Sequence, residues 1–181
     1  MGHNSFTLAA NGLLRALKTQ ASICHGFDPA KPPSPYPKLV QFEGVWDTGA
    51  TGSVISQKVV DDCGLKPIGM ARVHTAGGEC NCEVYLINIL LPNQVGFPNV
   101  RVTKADMGGT DVLIGMDIIS TGDFALTHKD GKTCFSFRQP SLVRIDFVEA
   151  EKLAAASKVD SYAPCPCGSG RKFKYCCKAL Y

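Results

Sequence analysis

The stretch Val45-Trp46-Asp47-Thr48-Gly49-Ala50-Thr51-Gly52-Ser53-Val54-Ile55-Ser56 decides how the rest of the chain is read. An apolar strand ends in a carboxylate, Thr and Gly follow, and a second strand-like run, Ser53 to Ser56, takes over. The strand delivers the Asp47 side chain into a dry groove. Gly49 lets the backbone turn and bring its amide near that carboxylate. Thr48 offers a hydroxyl to a neighbouring backbone and so locks the loop. The tripeptide alone also fits an ordinary β-turn, so its surroundings decide.

Those surroundings are β throughout, from Leu39 to Phe137. Leu39 to Trp46 leads into the Asp47 loop, and one short helix, Gln57 to Cys63, is closed by Gly64. Met70–Thr75 and Cys80–Leu91 flank the hairpin turn Ala76-Gly77-Gly78-Glu79. Val100-Arg101-Val102 alternates, and Val112-Leu113-Ile114 is wholly apolar. Phe124–His128 and Lys132–Phe137 pair across Asp130-Gly131, a strong short hairpin signal. Many short strands with one helix predict an all-β small barrel or sandwich.

A second segment, Asp111-Val112-Leu113-Ile114-Gly115-Met116-Asp117-Ile118-Ile119, resembles the apolar-apolar-Gly strand and short helix of retropepsin-like proteases, the retroviral type of aspartic protease. In that family the strand crosses beneath the catalytic loop, and the hairpin between, here at Gly77-Gly78, is the flap. The resemblance spans roughly residues 38 to 138. It implies Asp47, Thr48 and Gly49 as catalytic residues and Ala50, Gly77, Gly78 and Gly115 on the substrate side. It also implies an endopeptidase that takes peptide or protein substrates in extended form under the flap. Trp46 departs from the family, which carries a small or aliphatic residue there; it either packs behind the loop or crowds the site. Asp111 and Asp117 lie outside any Asp-Thr-Gly, and Asp117 reads as a helix cap.

The chemistry implied by the resemblance needs two carboxylates sharing one proton, since like charges a few ångströms apart cannot both ionise. One acts as base on water while the other polarises the scissile carbonyl. Only one Asp-Thr-Gly occurs here. A second Asp47 must therefore come from a second chain across a two-fold axis. The expected state is a homodimer, with Thr48 bonding across the axis.

The other informative segment is Pro164-Cys165-Pro166-Cys167-Gly168-Ser169-Gly170-Arg171-Lys172-Phe173-Lys174-Tyr175-Cys176-Cys177. Four thiols at this spacing, with glycines to fold the chain back, suit a tetrahedral structural zinc on Cys165, Cys167, Cys176 and Cys177. Such a tail has almost no core, so metal supplies its folding energy. The segment resembles the SEC-C module, the zinc tail of the bacterial preprotein translocase ATPase. That resemblance implies an adaptor for protein, ribosome or nucleic-acid surfaces. The alternating charged and aromatic residues from Arg171 to Tyr175 suit RNA, but they serve equally as charge balance and a two-ring mini-core, which is the preferred reading.

Composition bounds the rest. Apolar residues make up 45% and charged residues 19% of the 181 residues, which fits a globular protein and not a disordered one. The formal net charge of +3 is too small to imply nucleic acid. No apolar run reaches the length of a membrane span. The N-terminus lacks the order of a secretory signal, so a cytoplasmic location without membrane contact is expected. Nine cysteines in a reducing compartment point to metal or free thiols. Cys63 and Cys134 read as core. Cys80, Cys82 and His74 admit a second metal site, with buried free thiols as the default. His128 reads as a turn neighbour.

Four segments result. Residues 1–37 hold an amphipathic helix over 5–20 and a linker stiffened by five prolines. Residues 38–138 form the protease-like barrel. Residues 139–163 form a junction with a possible last strand at Leu142–Phe147 and a linker helix capped by Asp146 and Glu149. Residues 164–178 form the zinc tail. A second reading keeps the dimeric barrel as a non-catalytic scaffold whose tail selects the partner. The presence of Asp47, Thr48 and Gly49 favours the enzyme.

Overall fold

The structure is a computed structural model and describes residues 4–75, 78–157 and 160–177. It divides into two units, the first ending at Leu142 and the second starting at Val143.

Ten strands build the first unit: β1 (Ser5–Ala10), β2 (Lys18–His25), β3 (Val40–Trp46), β4 (Val54–Ile55), β5 (Gly69–Thr75), β6 (Gly78–Leu90), β7 (Gly96–Lys104), β8 (Val112–Ile114), β9 (Asp123–Thr127) and β10 (Thr133–Arg138). Seven of them follow the order β2-β3-β8-β4-β7-β6-β5, and β2 also pairs with β6. That extra pairing closes six strands into a small barrel and leaves β5 as an arm held by β6 alone. The expected all-β barrel is what forms. The remaining sheet, β1-β10-β9, packs an aromatic cluster against it.

The helix expected over residues 5–20 does not form; β1 and β2 occupy it. The burial explains why. Phe6 and Leu8 turn inward while Thr7 and Ala9 turn out, and in β2 Thr19, Ala21 and Ile23 are buried between Lys18, Gln20 and Ser22. Period two, not 3.6, is the working pattern. Leu13 and Leu14, which made the helical stripe, are exposed. Pairing of β1 with β10 from Ser5↔Arg138 to Ala10↔Thr133 overrides local helix propensity. Residues 5–10 and 18–25 are therefore paired into the sheets of the first unit, and the proline-rich stretch is a loop between β2 and β3. Within it the Phe27 and Tyr36 rings meet edge-on at 5.2 Å.

Trp46 lies at the centre of the core. Its ring centroid is 5.0 Å from Phe135 and Phe137, 5.9 Å from Phe6 and 6.0 Å from Phe124. Its Nε1–H donates to the Thr19 hydroxyl at 2.9 Å, so the buried indole leaves no donor unpaired. Trp46 therefore packs behind the loop and does not crowd it. Trp46→Ala removes the hub of five rings and strands the Thr19 hydroxyl. We expect a loss of about 3–5 kcal/mol in urea unfolding, and a loss under about 1 kcal/mol would show the cluster to be peripheral.

The short helices end as their sequence dictates. α1 (Gln57–Asp62) starts at Ser56, whose hydroxyl accepts from Val59 N–H. Its end is a Schellman turn: Leu65 N–H donates to Val60 C=O and Gly64 N–H to Asp61 C=O, with Gly64 at φ +58°. α2 (Met116–Ile119) follows β8. Asp130 and Gly131 both take positive φ, and Lys132 N–H donates to Lys129 C=O, the mirror-image turn their sequence called for. Cys134 is exposed on the outer face of β10 and not in the core, because Thr133, Phe135 and Phe137 take the inner positions. Cys63 is half-buried, and burial together with neighbouring Cys24 pushes its thiol up to about 11.

Residues 141–146 form no strand. α3 (Phe147–Ser157) begins at Asp146, whose carboxylate accepts from Glu149 N–H at 3.0 Å, as the capping pattern predicts. No helix among the described residues is long and apolar enough to cross a membrane.

Candidate active site and metal centre

β8 lies between β3 and β4, parallel to the first and antiparallel to the second. The loop from Asp47 to Ser53 joins β3 to β4, so it must pass over the end of β8. Gly115 sits at that crossing. A Cβ there would lie 2.6 Å from the Gly52 carbonyl carbon and oxygen and 3.0 Å from Ala50 O. Only glycine lets the two backbones meet, which is why an apolar strand ends in Gly at this point. Gly115 is buried behind the loop; it supports the site and does not line the substrate side as first expected. Gly115→Ala should cost about 1–3 kcal/mol through displaced backbone. Because the displaced backbone is the Asp47 loop, the loss should appear in any activity before it appears in the melting curve.

The crossing is bonded as well as packed. Met116 N–H donates to Ala50 C=O at 2.8 Å and Asp117 N–H to Thr51 C=O at 3.2 Å. The first amides of α2 thereby find acceptors in the loop. Asp117 does not take the N-cap position, which belongs to Gly115. Its carboxylate instead accepts from Ser53 N–H at 3.0 Å and from the Ser53 hydroxyl at 2.8 Å, and the same hydroxyl accepts from Gly115 N–H at 3.1 Å. Asp111 is drawn away from the site and pairs with Lys58.

Held from below, the loop presents Asp47 upward. Gly49 N–H donates to Asp47 Oδ1 at 2.8 Å, the turn that the Gly was expected to permit. Asp47 N–H donates to Ile114 C=O, and Asp47 C=O accepts from Ala50 N–H. Thr48 is exposed, and its hydroxyl has no partner among the described residues. Above Asp47 opens a groove of about 510 Å³ lined by Gly49 to Val54, by Val73 and His74 from β5, and by Arg101 and Thr103 from β7. Ala50 is thus on the groove wall. β5 and β6 pair from Gly69↔Val84 to Thr75↔Gly78, so the hairpin turn falls where the flap was placed. Gly78 has φ +112°; Gly77 lies outside the described residues. Ser53, Asp117, Val73, His74, Arg101 and Thr103 were not singled out for this site, although the alternation Val100-Arg101-Val102 already put Arg101 on the face opposite the core.

Residues 40–121 match the family model described as "gag-polyprotein putative aspartyl protease", and residues 163–179 match the SEC-C motif. Residues 40–121 thus resemble a retropepsin-like domain, and residues 163–179 resemble a SEC-C motif. Among solved structures, it is similar to a retropepsin-like aspartic protease from Rickettsia conorii (10% identity, TM-score 0.48, 77% of this chain and 97% of that one). It is also similar to the EIAV protease complexed with the inhibitor HBY-793 (16%, TM-score 0.44, 61% and 91%). A third is the retroviral protease-like domain of Ddi1 from Leishmania major (16%, TM-score 0.43, 74% and 99%). No curated protein matches the chain.

In the SEC-C tail the four cysteines expected as ligands come together. Their sulfurs all lie within 4.8 Å of one another. Cys167 Sγ is 3.3 Å from Cys165 Sγ and 3.5 Å from Cys176 Sγ. Tetrahedral thiolate zinc, at about 2.3 Å per bond, needs sulfurs roughly 3.8 Å apart, so this donor set fits the ion. Cys165 N–H donates to Arg171 C=O and Gly168 N–H to Cys165 C=O, which folds the two halves together around Gly168 and Gly170, both at positive φ. Hydrogen bonding with Ser169 and with Cys165 brings the Cys167 thiol down to about 6, while the neighbouring thiols push Cys177 up to about 12. Phe173 is buried, and the Tyr162 ring receives the Lys172 and Lys174 ammonium groups at 5.5 and 5.3 Å. The two-ring mini-core is reduced to one ring, because Tyr175 is exposed.

Cys80 and Cys82 share one face of β6, with their sulfurs 3.2 Å apart. His74 pairs with Glu79 and so points to the other face. Among the described residues the SEC-C cluster is the only group of three or more metal-ligating side chains, so the hairpin offers zinc no closed site. Cys80 is exposed and not a buried thiol.

Proposed function

We propose that this protein is an aspartic endopeptidase that hydrolyses peptide bonds with Asp47 from each of two subunits. The observation that carries this reading is the Asp47 carboxylate, oriented by Gly49 N–H at 2.8 Å and facing a groove of about 510 Å³. One chain supplies one such carboxylate, and the chemistry needs two. The Thr48 hydroxyl beside it, without a partner among the described residues, supports a facing copy, since a second loop would offer it an acceptor across the axis.

In the dimer the two carboxylates hold one proton between them. The ionised one takes a proton from water, and the protonated one donates to the scissile carbonyl oxygen as the tetrahedral intermediate forms. Collapse of that intermediate returns the proton to the leaving amine. Gly49 N–H keeps one carboxylate oxygen aimed, and the Ser53–Asp117–Gly115 bonds hold the loop against recoil. The flap arm β5–β6 covers the peptide and excludes water.

Cys165, Cys167, Cys176 and Cys177 would hold one zinc, which supplies structure and takes no part in hydrolysis. The basic tail around it would direct the enzyme to a protein or ribosome surface in the cytoplasm. Dilution tests the dimer. Turnover per chain should fall as protein concentration drops below the dimer dissociation constant, in step with the sedimentation coefficient. Full turnover by monomers would end the reading.

A further inference from the structure

The groove over Asp47 contains a cation that the fold does not use. Along β7, Val100 and Val102 pack toward the core, so the pleat turns Arg101 and Thr103 to the opposite face, the groove wall. Arg101 is exposed and makes no ion pair among the described residues. Other basic residues of the barrel do: Lys18 with Glu43, Lys104 with Glu83, Arg138 with Asp123. Among the described residues that line the groove, the only acid is Asp47 itself. The rest, from Ala50 through Val54 with Val73, is small and neutral, so it leaves room beside Arg101 and offers nothing to neutralise it. His74 on β5 adds a second basic group, its Nδ1 3.4 Å from Glu79 Oε1.

We infer that the groove selects peptides carrying an acidic side chain, Asp or Glu, seated on Arg101. This rests on the endopeptidase reading above. A guanidinium presents two parallel N–H donors that match a carboxylate, which an amide or an ammonium cannot reproduce. Thr103, two residues along the same face, adds a hydroxyl within the same wall. A bound peptide also covers Arg101 and takes it out of bulk water, which strengthens its attraction for a carboxylate. A basic substrate residue at this place would be repelled by Arg101.

The test uses the full-length, zinc-loaded protein on a chymotryptic peptide mixture, with cut sites read by mass spectrometry. Wild-type cuts should be enriched in Asp or Glu at one fixed position near the scissile bond. Arg101→Gln should erase the enrichment and Arg101→Glu should replace it with Lys or Arg. On matched peptides differing by Asp against Asn there, kcat/KM should favour Asp by roughly tenfold to a hundredfold. Arg101→Glu should invert that order while its melting temperature stays at the wild-type value. Cuts without acidic enrichment, or enrichment that survives Arg101→Glu, overturn the inference and leave the endopeptidase standing. Cuts at a fixed distance from peptide C-termini give Arg101 to the terminal carboxylate instead, which also overturns it. If no cleavage depends on Asp47, the endopeptidase reading fails first and carries this inference down with it.

Discussion

Asp47→Asn should leave a folded dimer that no longer cuts peptides, with turnover reduced by about 10²–10⁴ or more. Asn keeps a side-chain oxygen where Gly49 N–H donates, so the 2.8 Å bond that shapes the loop survives. What disappears is a group that can take a proton from water and return it. Equal melting curves with lost turnover would therefore separate chemistry from folding. Mixing gives a sharper result. Equal amounts of wild type and variant, unfolded and refolded together, form wild-type pairs in about a quarter of the dimers. Activity should fall to about a quarter of the all-wild-type value if both carboxylates are needed, and to one half if each chain works alone. Identical cleavage by wild type and variant would leave the dimeric scaffold as the better account of the fold.

The site was legible where residue type and backbone demand coincide. Asp47, Gly49 and Gly115 announce themselves because only a carboxylate, a turn-former and a residue without Cβ meet the requirements at those places. The supports were harder to see. Ser53 and Asp117 are 64 positions apart in sequence, and nothing local marks either as the partner of the other. Asp117 looked like a cap because it precedes a short helix. Its neighbour across the crossing became visible only when β8 slid between β3 and β4.

The N-terminus shows how local evidence misleads. Leu, Ala, Arg and Lys between residues 5 and 20 favour a helix by intrinsic preference, worth a few tenths of a kcal/mol per residue. Against that stand twelve ladder partners: Ser5 to Ala10 against β10, and Lys18 to Ile23 against β3. Long-range pairing plus burial of Phe6, Leu17, Ala21 and Ile23 exceeds propensity here. A signal was present in the strict alternation of Lys18-Thr19-Gln20-Ala21-Ser22-Ile23, but the leucines at 13, 14 and 17 drew the reading toward 3.6. Cys134 failed for a related reason. A thiol between apolar neighbours was taken for core, when the Phe135–Phe137 spacing already assigned it to the outer face.

Chelating zinc should unfold the tail and spare the barrel. Among the described residues beyond Val143, only Cys165 and Phe173 are buried, and two small buried groups cannot offset the entropy of ordering some eighteen residues at about 1–2 kcal/mol each. A bound zinc supplies about 10–16 kcal/mol in such peptides, net of the ordering it imposes. The barrel draws instead on its own aromatic core and ladders, and it forms a separate unit. With a strong chelator, amide resonances of residues 160–177 should collapse to random-coil positions while those of residues 5–138 stay in place, and one equivalent of zinc should restore them. Cys165→Ser should give the same collapse without chelator, because the three thiolates left cannot enclose the ion. Hydrolysis of short peptides should continue throughout. A tail that keeps its dispersed resonances without metal would mean that contacts outside the cluster hold it, and the four cysteines would lose their structural assignment.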